Sequence, residues 1–379
     1  MKILAIDTSC DETAAAVTRG TTVLSNVIWS QAFQHAEFGG VMPSLAQRMH
    51  EERIDWVVSK AITKSQIPIT KLDAVAVTSG PGLAIALGVG ITKAKELAGR
   101  LNIPLIPVNH IEGHLLSPMA EPSTKFQVPT SPTSLKLRGA GKQIQNSKSE
   151  IKFPALGLVV SGGHTELVLI KKIGEYQILA KTHDDALGEA LDKAARMLGL
   201  GYPGGAILEK MAKFGDSKSY TLPMPMSQSP DKHSFSYSGL KTALLRLSAS
   251  EGQVLIGEPP TLNKRQICDL AASFQNRAFQ HLIRVISQTI TDNNLSNVDL
   301  LVGGGVVANI DLRNRLRKMG KELGLKVRFP YSKKLIGDNA AMIGVAAGLK
   351  IKEIRNMKYE IGSIDRKATW AVDQDFSRE

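Results

Sequence analysis

The sequence predicts a duplicated α/β fold, two lobes with a ligand cleft between them. Three observations predict it. The order strand–strand–strand–helix–strand–helix–strand over residues 3–108 recurs, with helices inserted, over residues 154–351. The first three strands are joined by short turns, as in an antiparallel meander. A stretch without sustained period, 121–152, rich in Pro, Ser, Thr, Lys and Gln, separates the copies. The repeat lies in element order and not in residue identity.

The elements follow from periodicity. Residues 3–6 form a buried strand, and 13–17 and 23–27 complete the meander. Leu45, Met49, Ile54, Val57, Val58 and Ile62 recur at helical spacing, which predicts a helix over 45–65. A strand at 73–78, a helix at 84–100 and a strand at 104–108 close the first copy. The second copy has strands at 154–160, 165–170 and 176–180, and helices at 187–198, 206–214 and 265–291. A strand at 300–302, a helix at 312–323, a strand at 326–329 and a helix at 339–351 finish it. Residues 223–238 are expected to fold over a surface. The expected domains are a first lobe at 1–118, joined by the C-terminal helix at about 335–357, and a second lobe at 153–334. A disordered basic insertion at 119–152 and a tail at 358–379 complete the chain.

Composition narrows the function. Two cysteines, Cys10 and Cys268, cannot staple 379 residues, so a disulfide framework is excluded. A hydrophobic content of 43% excludes disorder throughout. No apolar run approaches the ~20 residues of a spanning helix. Residues 1–7 lack the pattern of a secretory signal. A cytoplasmic protein with no membrane partner is expected, and free cysteines agree with a reducing compartment. The net charge of +12 points to an anionic partner such as nucleic acid or nucleotide. Residues 311–334 hold nine Lys/Arg against Asp311 and Glu322, a net of +7. Residues 121–152 hold six against two, a net of +4. Both segments are expected to face that anionic partner; the plainer alternative is a solvated helix and an idle linker.

Four groups of residues could carry chemistry. His110 and His114 stand four apart in NHIEGH, which on a helix places both imidazoles on one face, within reach of one metal. Two polar residues at an interface is the alternative. Glu112 would point away from that face, and the motif is not HExxH, so a protease base is lacking. A third ligand is offered by Asp338 at the start of a helix, where a plain N-cap is the alternative. Two His and one Asp leave positions open for substrate and suit iron(II) or zinc. Glycine turns at 161–163, 303–305 and 203–205 expose N–H groups that can cradle phosphate or admit an adenosine. Neither a P-loop nor GxGxxG is present. The polar turn Asp7-Thr8-Ser9-Cys10-Asp11-Glu12-Thr13 follows a buried strand and brings carboxylates and hydroxyls together, and Gly80-Pro81-Gly82 would line the same cleft.

The segments IDTSCDET, FGGVMPSLAQRMH, TSGPGL, NHIEGH, VVSGGHTEL, EALDKAARMLGLGYPGG, FSYSGLKT, GGGVVAN and GDNAAMIG occur in this order. In them the chain resembles the TsaD family of bacterial tRNA N6-adenosine threonylcarbamoyltransferases, over nearly its whole length apart from the insertion and the tail. The resemblance implies an actin-like, sugar-kinase-like (ASKHA, RNase-H-like) fold. It implies transfer of threonylcarbamoyl from threonylcarbamoyl-AMP to N6 of adenosine 37 in tRNAs reading codons that begin with A. It implies one metal on His110, His114 and Asp338, iron(II) first and zinc second. It implies a substrate wall of Val159, Val160, Ser161, Gly162, Gly163, Asp192, Gly205, Glu209 and Asn309. A TsaB-like paralogue and a TsaE-like ATPase would be partners. Ser44 stands where Glu is usual and Ile85 where Gly is usual; both touch loop detail and partner surface, not the metal set.

The adenine amine is a poor nucleophile, so the acyl donor must be activated, and a mixed anhydride with AMP supplies a leaving group. The 161–163 turn would hold phosphate, Asn309 with Gly304 the nucleoside, and Asp192 a ribose or threonine hydroxyl. Asp11 or Glu12 would remove the amine proton. Competing readings are an O-carbamoyltransferase, an ATPase of the same fold, or a non-catalytic scaffold paralogue. A kinase would not need the paired histidines, and a scaffold would be expected to lose the metal ligands.

Overall fold

Strand β1 (Lys2–Asp7) lies inside the first sheet. Its alternate side chains serve two cores: Leu4 and Ile6 face one cluster, Ile3 and Ala5 the other. A strand covered on both faces needs an unbroken apolar run, which is what residues 3–6 provide. β2 (Glu12–Arg19) and β3 (Thr22–Ser30) pair antiparallel in succession, and β4 (Ala74–Gly80) and β5 (Leu105–Asn109) add parallel strands on the other side. The short β6 (Glu121–Pro122) pairs with β3, giving the order β5-β4-β1-β2-β3-β6. Beyond β3 comes a one-turn helix, α1 (Ala32–Ala36). Helices α2 (Pro43–Ser65) and α3 (Ala84–Leu101) cover one face. Pro43 opens α2, where its missing N–H costs nothing, and Asn102 ends α3 in the left-handed region.

The second sheet repeats this wiring. β7 (Ala155–Val160), β8 (Thr165–Lys172) and β9 (Glu175–Thr182) are antiparallel, and β11 (Asp299–Gly303) and β12 (Lys326–Arg328) join parallel to β7. With β10 (Ser234–Phe235) on the far edge the order is β10-β9-β8-β7-β11-β12. Three antiparallel strands followed by two parallel ones recur in both lobes, so the duplication predicted from element order holds. Around this sheet lie α5 (Leu187–Met197), α6 (Gly205–Ala212), α7 (Ser238–Glu251), α8 (Lys264–Asp292) and α9 (Ile310–Glu322). α8 starts where Asn263 and Gln266 cap each other reciprocally. α9 begins two residues earlier than periodicity predicts, because Asn309 caps it. α7 is absent from the sequence reading: its buried residues Leu240, Leu244 and Ser248 form too narrow a stripe among Ser, Lys and Arg.

Two pieces join the lobes. α4 (His110–Leu116) is buried throughout, with Ile111 and Leu115 packed on Val159, Val168 and Leu301 of the second sheet. α10 (Ala340–Leu349) is apolar on all sides and covers the other face of the first sheet. The computed structural model describes residues 1–123, 151–251, 261–350 and 361–376. Most of the expected insertion, 124–150, therefore lies outside the described residues, as do 351–360 and 377–379.

Residues 358–379 read as a tail from their composition, but 361–376 fold back over the first lobe. Ile364 is wholly buried under α3, and Val372 reaches the cluster beneath α4. The Lys367 N–H donates to the Ser79 carbonyl at 2.7 Å, and the Gly82 N–H donates to the Ala368 carbonyl at 3.1 Å. A Cβ on Gly80 would lie 1.8 Å from the Lys367 carbonyl oxygen, so only glycine admits this segment.

Candidate active site and metal centre

Asn109 ends β5 and caps α4. Its Oδ1 accepts from the N–H groups of Ile111 at 2.9 Å and Glu112 at 3.3 Å, while its Nδ2 donates to the Trp370 carbonyl at 3.1 Å. The cap starts the helix at His110 and so puts His114 one turn further on the same face. Their Nε2 atoms lie 3.5 and 3.1 Å from a single atom, Asp338 Oδ1. The rings stand edge to face, 4.7 Å apart at 83°. The N-cap alternative for Asp338 fails, because Asn339 caps α10, its Oδ1 accepting from the Met342 N–H at 3.1 Å. Asp338 is thereby left to face the histidines.

Glycines make room for this crossing. A Cβ on Gly303 would meet the His114 carbonyl oxygen at 2.1 Å, and one on Gly113 would meet Ile343 at 2.9 Å. Glu112 points away from the histidines, as its spacing predicts. It is buried, accepts from the Tyr176 hydroxyl at 2.6 Å and pairs with Lys350 at 2.5 Å.

Two imidazole nitrogens and a carboxylate oxygen, all within 4.8 Å of one another, are a donor set that fits one divalent metal. Burial works against a charged His110, but Asp338 and then Asp7 overcome it and raise its pKa to about 10. Burial lowers His114, and the two imidazoles hold Asp338 well below the usual carboxylate range despite its own burial. Asp7 is one residue that sequence reasoning missed as a separate group. Its Oδ1 lies 3.8 Å from His110 Nδ1 and accepts from the Thr78 hydroxyl at 2.7 Å; its Oδ2 is buried without a partner. A carboxylate behind a ligating histidine orients the ring and raises its basicity.

The centre opens into a cavity of about 730 Å³ between the lobes. Asp11 and Glu12 line it from the first lobe, Ser161, Gly162, Gly163, Asp192, Gly205, Glu209 and Asn309 from the second. Glu12 receives the Ser30 hydroxyl at 3.3 Å; burial, with Asp11 and Asp338 nearby, raises its pKa well above the usual range. The turn after β7 is held by the Ser161 N–H donating to the His164 carbonyl at 2.8 Å, which leaves Gly162 and Gly163 facing open space. Val159 and Val160 are a correction: both are wholly buried within β7 and lie behind the wall rather than on it. Gly304 likewise packs on the Val160 carbonyl, and Gly305 takes the place on the wall. Asp192 accepts from the Gly205 N–H at 2.7 Å, yet burial still raises its pKa. Asn309 donates to Gln275 at 2.9 Å besides capping α9. Glu209 accepts from the Ile310 N–H at 3.3 Å. His164, also missed, lines the cavity with its pKa pushed down to about 4 by burial and the two nearby histidines.

Fold and site together define an actin-like two-lobe protein with a nucleotide-sized cleft beside a candidate metal centre. The sequence profile of the TsaD family, tRNA N6-adenosine threonylcarbamoyltransferase, matches residues 22–144 and 134–345. The chain belongs to this family, so its reaction is threonylcarbamoyl transfer to N6 of adenosine in tRNA. The tRNA N6-adenosine threonylcarbamoyltransferase of Trichlorobacter lovleyi is 40% identical over 375 residues, covering 99% of this chain and 98% of that protein. The one from Koribacter versatilis is 42% identical over 377 residues, covering 91% and 93%. Among solved structures, HypF of T. kodakarensis superposes with a TM-score of 0.56 at 14% identity, over 93% of this chain and 48% of that one, a likeness of fold alone.

Proposed function

We propose that the donor is threonylcarbamoyl-AMP and that the acceptor is adenosine 37 of tRNAs reading codons that begin with A. The observation that carries this reading is the convergence, in one inter-lobe cavity, of His110, His114 and Asp338 with the Asp11/Glu12 turn and the open 161–163 turn. The metal is iron(II), with zinc as the second fit, and when bound it supplies Lewis-acid stabilisation of the charge developing on the transferred group. His110, His114 and Asp338 hold it. Gly162 and Gly163 offer N–H groups to the donor's phosphate. Asp192 keeps one carboxylate oxygen for a ribose or threonine hydroxyl, and Asn309, Glu209 and Gly205 border the nucleoside. Asp11 or Glu12 takes the amine proton as the bond from N6 to the carbamoyl carbon forms and the anhydride bond breaks, its electron pair leaving with AMP; the raised proton affinity of Glu12 suits carrying the proton.

The domain division into lobes 1–118 plus about 335–357 and 153–334 belongs to this reading, as do a cytoplasmic location, a TsaB-like paralogue and a TsaE-like ATPase. Among the described residues no helix is long and apolar enough to cross a membrane. The test is incubation with unmodified tRNA, threonylcarbamoyl-AMP and those partners, followed by nucleoside mass analysis. A threonylcarbamoylated adenosine at position 37 is expected. Its absence in every combination, with metal bound, would refute the reading.

A further inference from the structure

Aromatic residues are 5% of this chain, so an unburied phenylalanine asks for a reason. Phe33 is 85% exposed and Phe38 is 56% exposed. Both lie in the connection between β3 and α2, where Met42 is exposed as well, and Ile28 is exposed near the end of β3. Among the described residues, four of the ten exposed large hydrophobic side chains fall within these fifteen positions, 28–42. The connection borders the cavity. Gly40 and Val41, within three residues of Phe38, line it. The Gln31 N–H, two residues from Phe33, donates to the carbonyl of Asp11, which lines it too. The connection is tied to the opposite lobe, since the Arg196 guanidinium donates to the Gly39 carbonyl.

The reaction sets a demand on this rim. The acceptor is an amine on a base edge, and the cavity that must receive it is recessed between the lobes. A base in a tRNA loop reaches such a recess only by leaving its stack, which costs a few kcal/mol. Proteins that read splayed loops offset that cost by stacking the exposed bases on aromatic faces.

We propose that Phe33 and Phe38 are stacking platforms for bases of the tRNA loop that flank the target adenosine. The rings hold the flanking bases at the rim while the adenine enters the cavity, and Arg196 fixes the connection that carries them. This rests on the tRNA acceptor reading above.

The test is a thermodynamic cycle with the full chain, its partners and an anticodon stem-loop. Phe33→Ala and Phe38→Ala are each expected to weaken stem-loop binding by about tenfold, since one stacked base contributes about 1–3 kcal/mol and 1.4 kcal/mol is tenfold. Phe→Trp should restore binding and Phe→Leu should not, which separates a π-face from mere apolar packing. A stem-loop with abasic sites beside the target adenosine should bind weakly to the parent protein and no more weakly to the double variant. Metal content of the variants should be unchanged. Full additivity of the abasic and alanine losses would overturn the proposal. So would variants that keep stem-loop affinity but lose association with a partner protein, which would make the patch a protein interface. Failure of the acceptor reading itself is distinct: the parent protein would then show no selectivity for the stem-loop and no modification of it.

Discussion

At the residue scale, one carboxylate oxygen serves two imidazoles, and three titrating groups share one small volume. Removing either kind of ligand leaves the others without the geometry to hold a metal. His110→Ala and Asp338→Asn are each expected to reduce bound metal to background in elemental analysis, with far-ultraviolet circular dichroism unchanged. Asp11→Asn is expected to keep its metal and lower the rate of transfer by about 10²-fold or more, the usual contribution of a positioned base. An Asp11→Asn protein with full activity would shift the role to Glu12. The histidine pair and the acidic turn were readable from the chain because their members lie within one helical turn or one hairpin. Asp7 and His164 were not singled out, because each becomes part of the site only when a strand from its own lobe is laid beside α4.

At the element scale, α4 depends on its cap and on the C-terminal segment. Asn109→Ala removes acceptors for two helix N–H groups and the donor to Trp370. A loss of about 1–2 kcal/mol in urea unfolding is expected. Metal affinity should weaken with it, because the cap sets where His110 begins the helix. Gly80→Ala drives a methyl into the Lys367 carbonyl and should release residues 361–376, read as new protease cleavage there. The basic character of 311–334 is partly spent internally: Arg315 pairs with Asp311, Arg328 with Asp299, and Arg313 and Arg317 lie over Phe329. Lys318 and Lys321 on α9 remain exposed to solvent. Lys318→Glu with Lys321→Glu should weaken tRNA binding and flatten its dependence on salt, measured as the slope of log affinity on log salt. An unchanged slope would leave α9 a solvated helix.

At the scale of the whole molecule, stability depends on groups that folding has stripped of water. His281 on α8 is buried against Phe235 and Tyr237, and burial with the neighbouring Arg284 lowers its pKa to about 4. Its folded pKa is below the unfolded value near 6.5, so the unfolded chain binds the extra proton first. The stabilisation is complete above about pH 6.5 and declines as pH falls towards 4, by about 3 kcal/mol over that window. Urea midpoints of the parent protein should fall through this range, and those of His281→Gln should fall less.

The two α/β copies were legible in the chain, because apolar period and turn chemistry are local properties. The His110/His114 pair was legible too, because a spacing of four sets both on one face of α4, and the wall residues were named through the family motifs; Asp338 as candidate third ligand needed the structure, where Asn339 takes the cap of α10. Folding sets Val159 and Val160 behind the wall, brings Asp7 behind His110 and packs 361–376 on the first lobe. Those outcomes turn on which strand faces lie against α4 and on whether Gly80 leaves room for a distant carbonyl. Such contacts join residues far apart in the chain, and no local pattern encodes them.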